Sequence, residues 1–262
     1  MKQNTRLPLA LILPAGFTLV LLLGLPSLIV ITRAFQPSFL PSLFSPVVTE
    51  ALRLSLMTTA ISLVITIVLG TPLAYLLARF EFRGKRLLDT MVDLPLVLPP
   101  TVAGMALLLT FGRRGLIGSA LSEAGITIAF TSTAVILAQV FVASPLYIRA
   151  MKTGFSNLDP QYEAASLSLG LNRLSTFWRV SLPLCLPSFV EGVVLSWARA
   201  LGEFGATIVF AGSLQGRTQT MPLAIYAALE QDLDAALALS ALLSLVAFAL
   251  LFIFKLFTTR ST

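Results

Sequence analysis

The hydrophobic positions of this chain come in long blocks rather than in stripes. An amphipathic helix repeats its apolar residues every three or four positions and a half-buried strand every second one. Here mostly apolar stretches of about 20 residues recur instead, the length that carries a helix across the hydrocarbon layer of a membrane. They predict six transmembrane helices: Leu9–Ile31, Leu54–Ala78, Met91–Thr110, Ala129–Ile148, Leu184–Phe210 and Ala235–Phe257. The first stretch follows Lys2 and Arg6, as the apolar core of a secretory signal would. Its run is longer than a signal's and no small-residue cleavage site follows, so it is read as a retained first helix.

Of the 262 residues, 56% are hydrophobic and only 11% charged, against about 25% charged in a soluble domain. The apolar runs extend through the whole sequence, so residues 1–262 are expected to form a single transmembrane domain without a separate globular one. A net charge of +6 raises nucleic acid as a partner. The cations are spread among short loops, however, and not gathered in one patch interleaved with aromatics, so membrane lipid is the expected surrounding and nucleic acid is not.

Lys and Arg are held on the cytoplasmic side of a membrane. With the N-terminus inside, the cytoplasmic set is Lys2, Arg6, Arg79, Arg83, Lys85, Arg86, Arg149, Lys152, Arg173, Arg179, Lys255 and Arg260. The outer set is the smaller one, Arg33, Arg53, Arg113, Arg114 and Arg217, and Arg199 lies within a span. Both termini are therefore expected in the cytoplasm of a multi-pass inner-membrane protein. The single cysteine, Cys185, excludes an internal disulfide or a cysteine metal cluster, and histidine is absent. No metal site and no catalytic residues are visible, so the chain is not expected to be an enzyme.

Two regions break the apolar monotony. The third span contains Leu94-Pro95-Leu96-Val97-Leu98-Pro99-Pro100-Thr101, where proline bends a helix and frees carbonyls that must then face protein or a hydrated cavity. Either a bent helix lines a pathway here, or Pro99 and Pro100 open a helix at its first turn. Between the fourth and fifth spans, residues 151–183 form the longest polar stretch. Asp159 can cap a helix that begins at Pro160 and stops at Gly170, and Asn172 can cap a second one running through Phe177 and Trp178 toward Pro183. A passive linker needs no such start and stop signals. Its aromatics Tyr162, Phe177 and Trp178 suit docking to another protein, or contact with lipid headgroups.

The same loop carries a family resemblance. Glu163-Ala164-Ala165-Ser166-Leu167-Ser168-Leu169-Gly170, nine residues, then Val180-Ser181-Leu182-Pro183 resembles the signature loop of permease subunits of binding-protein-dependent ABC importers: Glu-Ala-Ala, three residues, Gly, nine residues, Ile, one residue, Leu-Pro. Val180 replaces Ile, and four residues rather than three separate Ala165 from Gly170, so Glu163 sits one position early. The run from Leu94 to Gly104 is similar to the third-helix region of the oxyanion importers, and Arg199-Ala200-Leu201-Gly202-Glu203-Phe204-Gly205-Ala206-Thr207 to their fifth. Gly216 to Tyr226 is more similar to the molybdate permeases than to the sulfate ones.

The resemblance implies an all-α integral membrane protein of the type I importer kind, with residues 151–183 as its ATPase-coupling loop. It implies a second permease copy in a homodimer, two cytoplasmic ATPase subunits on the signature loops, and a periplasmic or lipid-anchored oxyanion-binding protein. It also assigns Glu163, Ala164, Ala165, Gly170, Val180, Leu182 and Pro183 to coupling. The chain has no Gly-x-x-x-x-Gly-Lys-Ser/Thr phosphate loop, so ATP and Mg are expected on the partner ATPase and no cofactor on this chain. Molybdate is the leading cargo, with tungstate, sulfate and thiosulfate as alternatives, and an ion-coupled secondary transporter as a rival class.

A dianion is too costly in hydrocarbon to cross without a hydrated, donor-lined cavity. Arg199 and Glu203 are an ionic pair deep inside a predicted span, spaced i, i+4 on one helical face. They serve either as a pathway charge with its holder or as a structural pair. Thr101 on the proline-rich span, and Arg217 and Thr218 in the last outer loop, complete the candidate pathway or gate residues. The loop residues can instead be ordinary solvated ones.

Overall fold

In the computed structural model the described residues are 6–34 and 45–258, with side chains described over 12–32 and 45–252. Lys2 and Arg260, counted above for orientation, lie outside them, as do the side chains of Arg6, Arg33 and Lys255. Regular structure among the described residues is helical throughout. In chain order the helices are α1 (Arg6–Ala34), α2 (Pro46–Arg79), α3 (Lys85–Val97), α4 (Pro100–Phe111), α5 (Gly118–Glu123) and α6 (Ser132–Asn157). There follow α7 (Pro160–Ser168), α8 (Arg173–Thr176), α9 (Leu186–Leu201), α10 (Gly205–Phe210), α11 (Met221–Leu229) and α12 (Leu233–Thr258). From α8 a π-helical turn, Phe177–Ser181, leads through Leu182–Leu184 to α9.

Four helices, α1, α2, α6 and α12, are long and apolar enough to cross a membrane, and the number rises to six if each of two bent pairs counts as one span. The pairs are α3 with α4, bent by 118°, and Arg173–Leu184 with α9, bent by 74°. The protein is thus an all-α integral membrane protein. Three of the expected spans differ in form. The third is two helices, because Pro99 removes a backbone donor and Pro100 takes the first position of a new helix. The fourth continues as helix to Asn157, nine residues past its predicted end at Ile148, since Met151 and Phe155 are buried against the core. The fifth ends at Leu201 and restarts at Gly205, and α11 occupies part of the last outer loop.

The centre of the molecule is the packing of α2, α6 and α9. Lipid is as apolar as leucine, so close approach and internal hydrogen bonds hold these helices rather than any gain from leaving water. Tyr147 on α6 is fully buried between two glycines: a Cβ at Gly70 would come within 3.0 Å of its ring, and one at Gly192 within 3.1 Å. Most polar side chains in the interior find partners in the protein, as a medium without water requires, with the Thr207 and Thr220 hydroxyls among the exceptions. Ser62 Oγ donates to Gln139 Oε1 at 2.9 Å, Trp197 Nε1 donates to Thr59 Oγ1 at 3.1 Å, and Ser196 Oγ donates to the Ala143 carbonyl at 3.0 Å.

Candidate functional site

Two helix breaks meet, and Glu203, in the second of them, is buried. The α3–α4 break at Leu98 and Pro99 leaves Pro100 opening α4, and the α9–α10 break spans Gly202, Glu203 and Phe204. They touch at Gly205, where a Cβ would fall 2.5 Å from the Pro100 Cβ and 3.5 Å from the Thr101 nitrogen. One turn on, a Cβ at Gly104 would fall 2.7 Å from the Ala206 carbonyl oxygen. Only glycine lets the starts of α4 and α10 approach this closely. Non-helical backbone at membrane depth is tolerated where it is enclosed by protein or faces a hydrated cavity.

Glu203 makes the second break possible. Its side chain is 1% exposed, and its Oε1 accepts the Ala206 N–H at 2.7 Å, satisfying one of the free donors at the start of α10. Arg199, on the last turn of α9, places Nη1 2.7 Å from Glu203 Oε2. That approach is close but poorly aligned, since Oε2 is left without a hydrogen-bond partner. The two are therefore an ion pair by distance and not a bidentate clamp. The sequence spacing is right and the shared helical face is not, because α9 ends before Glu203. The Arg199 side chain is 32% exposed, and its N–H groups make no hydrogen bond to another described residue.

Thr101 is exposed in the first turn of α4, beside Gly205. The structure thus pairs Arg199 with Glu203, sets Thr101 beside the start of the α10 helix that Glu203 caps, and leaves Arg217 and Thr218 in the loop after α10. Arg217 is exposed, and its carbonyl accepts from Ser132 Oγ at 2.7 Å. Thr218 is buried, with its hydroxyl used inside the loop: it accepts the Leu214 N–H at 2.9 Å and donates to the Gly212 carbonyl at 3.2 Å.

At the far end of α2, α7 and α8 form as their caps predict. Asp159 accepts the Gln161 N–H at 2.9 Å, Asn172 accepts the Ser175 N–H at 2.8 Å, and Gly170 follows α7 at φ +90°, a conformation that costs a side chain about 1 kcal/mol or more. Ala164, Ala165, Gly170 and Pro183 are exposed, while Val180 and Leu182 are half-buried. Of the three aromatics expected outside, Tyr162 and Trp178 are 56% and 60% exposed. Phe177 is turned inward by ring contacts of 5.2 Å with Tyr75 and 6.0 Å with Phe155. A groove of about 880 Å³ runs between the end of α2 and this loop, walled by Tyr75, Phe80, Leu174 and Trp178 over Glu163 and Arg79.

Glu163 points into the protein. Its Oε1 accepts from Ser181 Oγ at 2.6 Å and from Tyr75 Oη at 3.4 Å, and lies 3.4 Å from Arg79 Nη2. Tyr75, Arg79 and Ser181 are not among the candidate coupling residues of the sequence, where Arg79 counts only as a cytoplasmic cation. Ser181, inside the signature between Val180 and Leu182, was the available signal. Two ion pairs at 2.6 Å, Asp89–Lys152 and Asp93–Arg149, fasten α3 to α6.

Comparison with known proteins fits this geometry. The family model for the inner membrane component of binding-protein-dependent transport systems matches residues 67–261. The molybdenum transport system permease protein ModB of Mycobacterium tuberculosis is 46% identical over 94% of this chain and 93% of its own length. The protein of the same name from Escherichia coli K12 is 43% identical over 68% and 78%. The sulfate transport system permease protein CysW of Synechococcus elongatus is 38% identical over 88% and 82%. Among solved structures, a bacterial ABC transporter involved in the import of the acidic polysaccharide alginate superposes with a TM-score of 0.77 at 17% identity, covering 98% of this chain and 96% of that one. With bent spans, a capped loop and a family match over most of its length, the chain belongs to the binding-protein-dependent transport system inner membrane components.

Proposed function

We propose that this chain is the membrane permease of an ATP-driven importer for a tetrahedral oxyanion, with molybdate as its cargo. Two copies form the pathway, two ATPase subunits dock on the loops around α7 and α8 in the cytoplasm, and an external binding protein delivers the anion. The permease itself catalyses nothing. Its relatives named for molybdenum transport support the cargo, and Arg199 is the observation that carries it. A guanidinium paired to Glu203 at one nitrogen, a third exposed and with no hydrogen bond to another described residue, calls for water or an anion beside it. Its countercharge is wholly buried and fixed to the start of α10, so Arg199 is the member of the pair able to turn toward a passing oxyanion. The exposed faces of Tyr162, Ala165 and Leu169 on the loop, the last 83% exposed, supply an apolar docking surface.

The test is reconstitution with the ATPase and binding protein in proteoliposomes. Molybdate should accumulate only with ATP, and tungstate should compete far better than sulfate. The 38% identity with a sulfate permease favours a second reading, and sulfate accumulating in preference to molybdate would establish it in place of the first. Accumulation driven by an ion gradient without ATPase would refute both.

A further inference from the structure

The side chain at the head of the signature is turned toward the protein, at the floor of the groove, and its bonds are made within the chain. On α7 only Glu163 and Ser166 turn inward; the other residues of the helix, and Leu169 just after it, are exposed. Ser166 Oγ and Thr176 Oγ1 share a hydrogen bond of 2.9 Å that locks α7 onto α8. One oxygen of Glu163 then gathers Ser181 from the π-helical turn together with Tyr75 and Arg79 from the last turns of α2. Arg79 Nη2 also donates to the Leu158 carbonyl at 3.0 Å, which brings in the end of α6. A single carboxylate, with its side chain 17% exposed, therefore ties the loop to α2, remote from it in sequence, and through Arg79 to the end of α6.

We propose that Glu163 is a strut: it makes α2 and the ATPase-facing loop move as one body, so that a displacement of the loop is delivered to α2 directly and not only along the chain into α9. The inference rests on the reading that an ATPase docks on this loop. The rest of α2 suits the task. It is one helix of 34 residues, and at its other end Ser55 Oγ accepts the Met221 N–H at 2.7 Å, joining it to α11. Movement entering at Glu163 reaches the opposite side of the bundle without crossing a break. Glu163 is a positioning residue, acting through Arg79 and Tyr75.

The experiment uses the assembled complex with Cys185 replaced and spin labels at Leu69, on the exposed face of α2, and Ser168, on α7. In the otherwise unaltered protein the distance between labels should be the same without nucleotide and with ATP and vanadate. With Glu163→Gln, and independently with Ser181→Ala, the two distributions should separate. Ligand transported per ATP hydrolysed should fall about tenfold, the order expected for loss of a hydrogen bond to a charged group. ATPase binding should persist, because the outward face of α7 is untouched. A nucleotide-dependent distance in the parent protein overturns the proposal. Loss of ATPase binding in the variants overturns it too, since it would make Glu163 a docking contact, and so do unchanged distances and coupling in Ser181→Ala. The distances are read whatever the cargo, so a failure of molybdate uptake leaves this result separate.

Discussion

Removing the charge of Arg199 and removing that of Glu203 should have unequal effects, because the two are unequally buried. Arg199→Met leaves a carboxylate at 1% exposure with the Ala206 N–H as its remaining partner, and stranding one member of a buried pair costs about 3–5 kcal/mol. Glu203→Gln keeps an oxygen for Ala206 and leaves a guanidinium that is already 32% exposed, for which about 1–2 kcal/mol is the appropriate scale once solvent screening is allowed for. The assays are thermal stability of the purified complex and molybdate uptake per assembled complex in proteoliposomes with ATP and the binding protein. Arg199→Met should be clearly the less stable single variant, and the double variant should recover most of the loss. Uptake by the double variant should nonetheless stay at least about tenfold below the parent, because neutrality does not restore a donor facing the anion. Near-normal uptake in the double variant would refute the pathway role and leave a structural pair. Equal destabilisation by the two single variants would refute the burial argument.

Gly205→Ala should lower assembled yield and melting temperature, since the added methyl must displace the Pro100 ring from 2.5 Å at about 1–3 kcal/mol; a parent-like melting curve would count against close packing of α4 on α10. For orientation, cysteine at Ser156 in a background lacking Cys185 should resist a membrane-impermeant thiol reagent in intact cells while cysteine at Ser213 reacts, and the reverse pattern would turn the topology over.

The parts of this fold that the sequence reveals are those governed by local chemistry. Apolar run lengths locate the membrane helices, and Asp159, Pro160, Gly170 and Asn172 specify the two short helices through backbone donors and a left-handed turn they alone among their neighbours serve well. The interruption at Gly202–Phe204 is hidden because hydropathy measures composition, and that remains apolar from α9 into α10. What breaks the helix is Glu203 satisfying the Ala206 N–H, a contact that looks from the sequence like half of an i, i+4 pair. The nine residues of α11 are too few to register as a span. The inward turn of Glu163 depends on Tyr75 and Arg79, 88 and 84 positions earlier, and no local pattern encodes a contact at that separation.

The pairing of Arg199 with a fixed, buried Glu203 also bears on the electrical work of import. Both charges belong to the chain and sum to zero, so the pair itself sends no countercharge across with the cargo. With molybdate as the proposed cargo, a dianion entering against an inside-negative membrane voltage works against about 2.3 kcal/mol per charge per 100 mV, or about 5 kcal/mol in all. Under the proposed function that work comes from the ATPase stroke, delivered at the opposite end of the bundle.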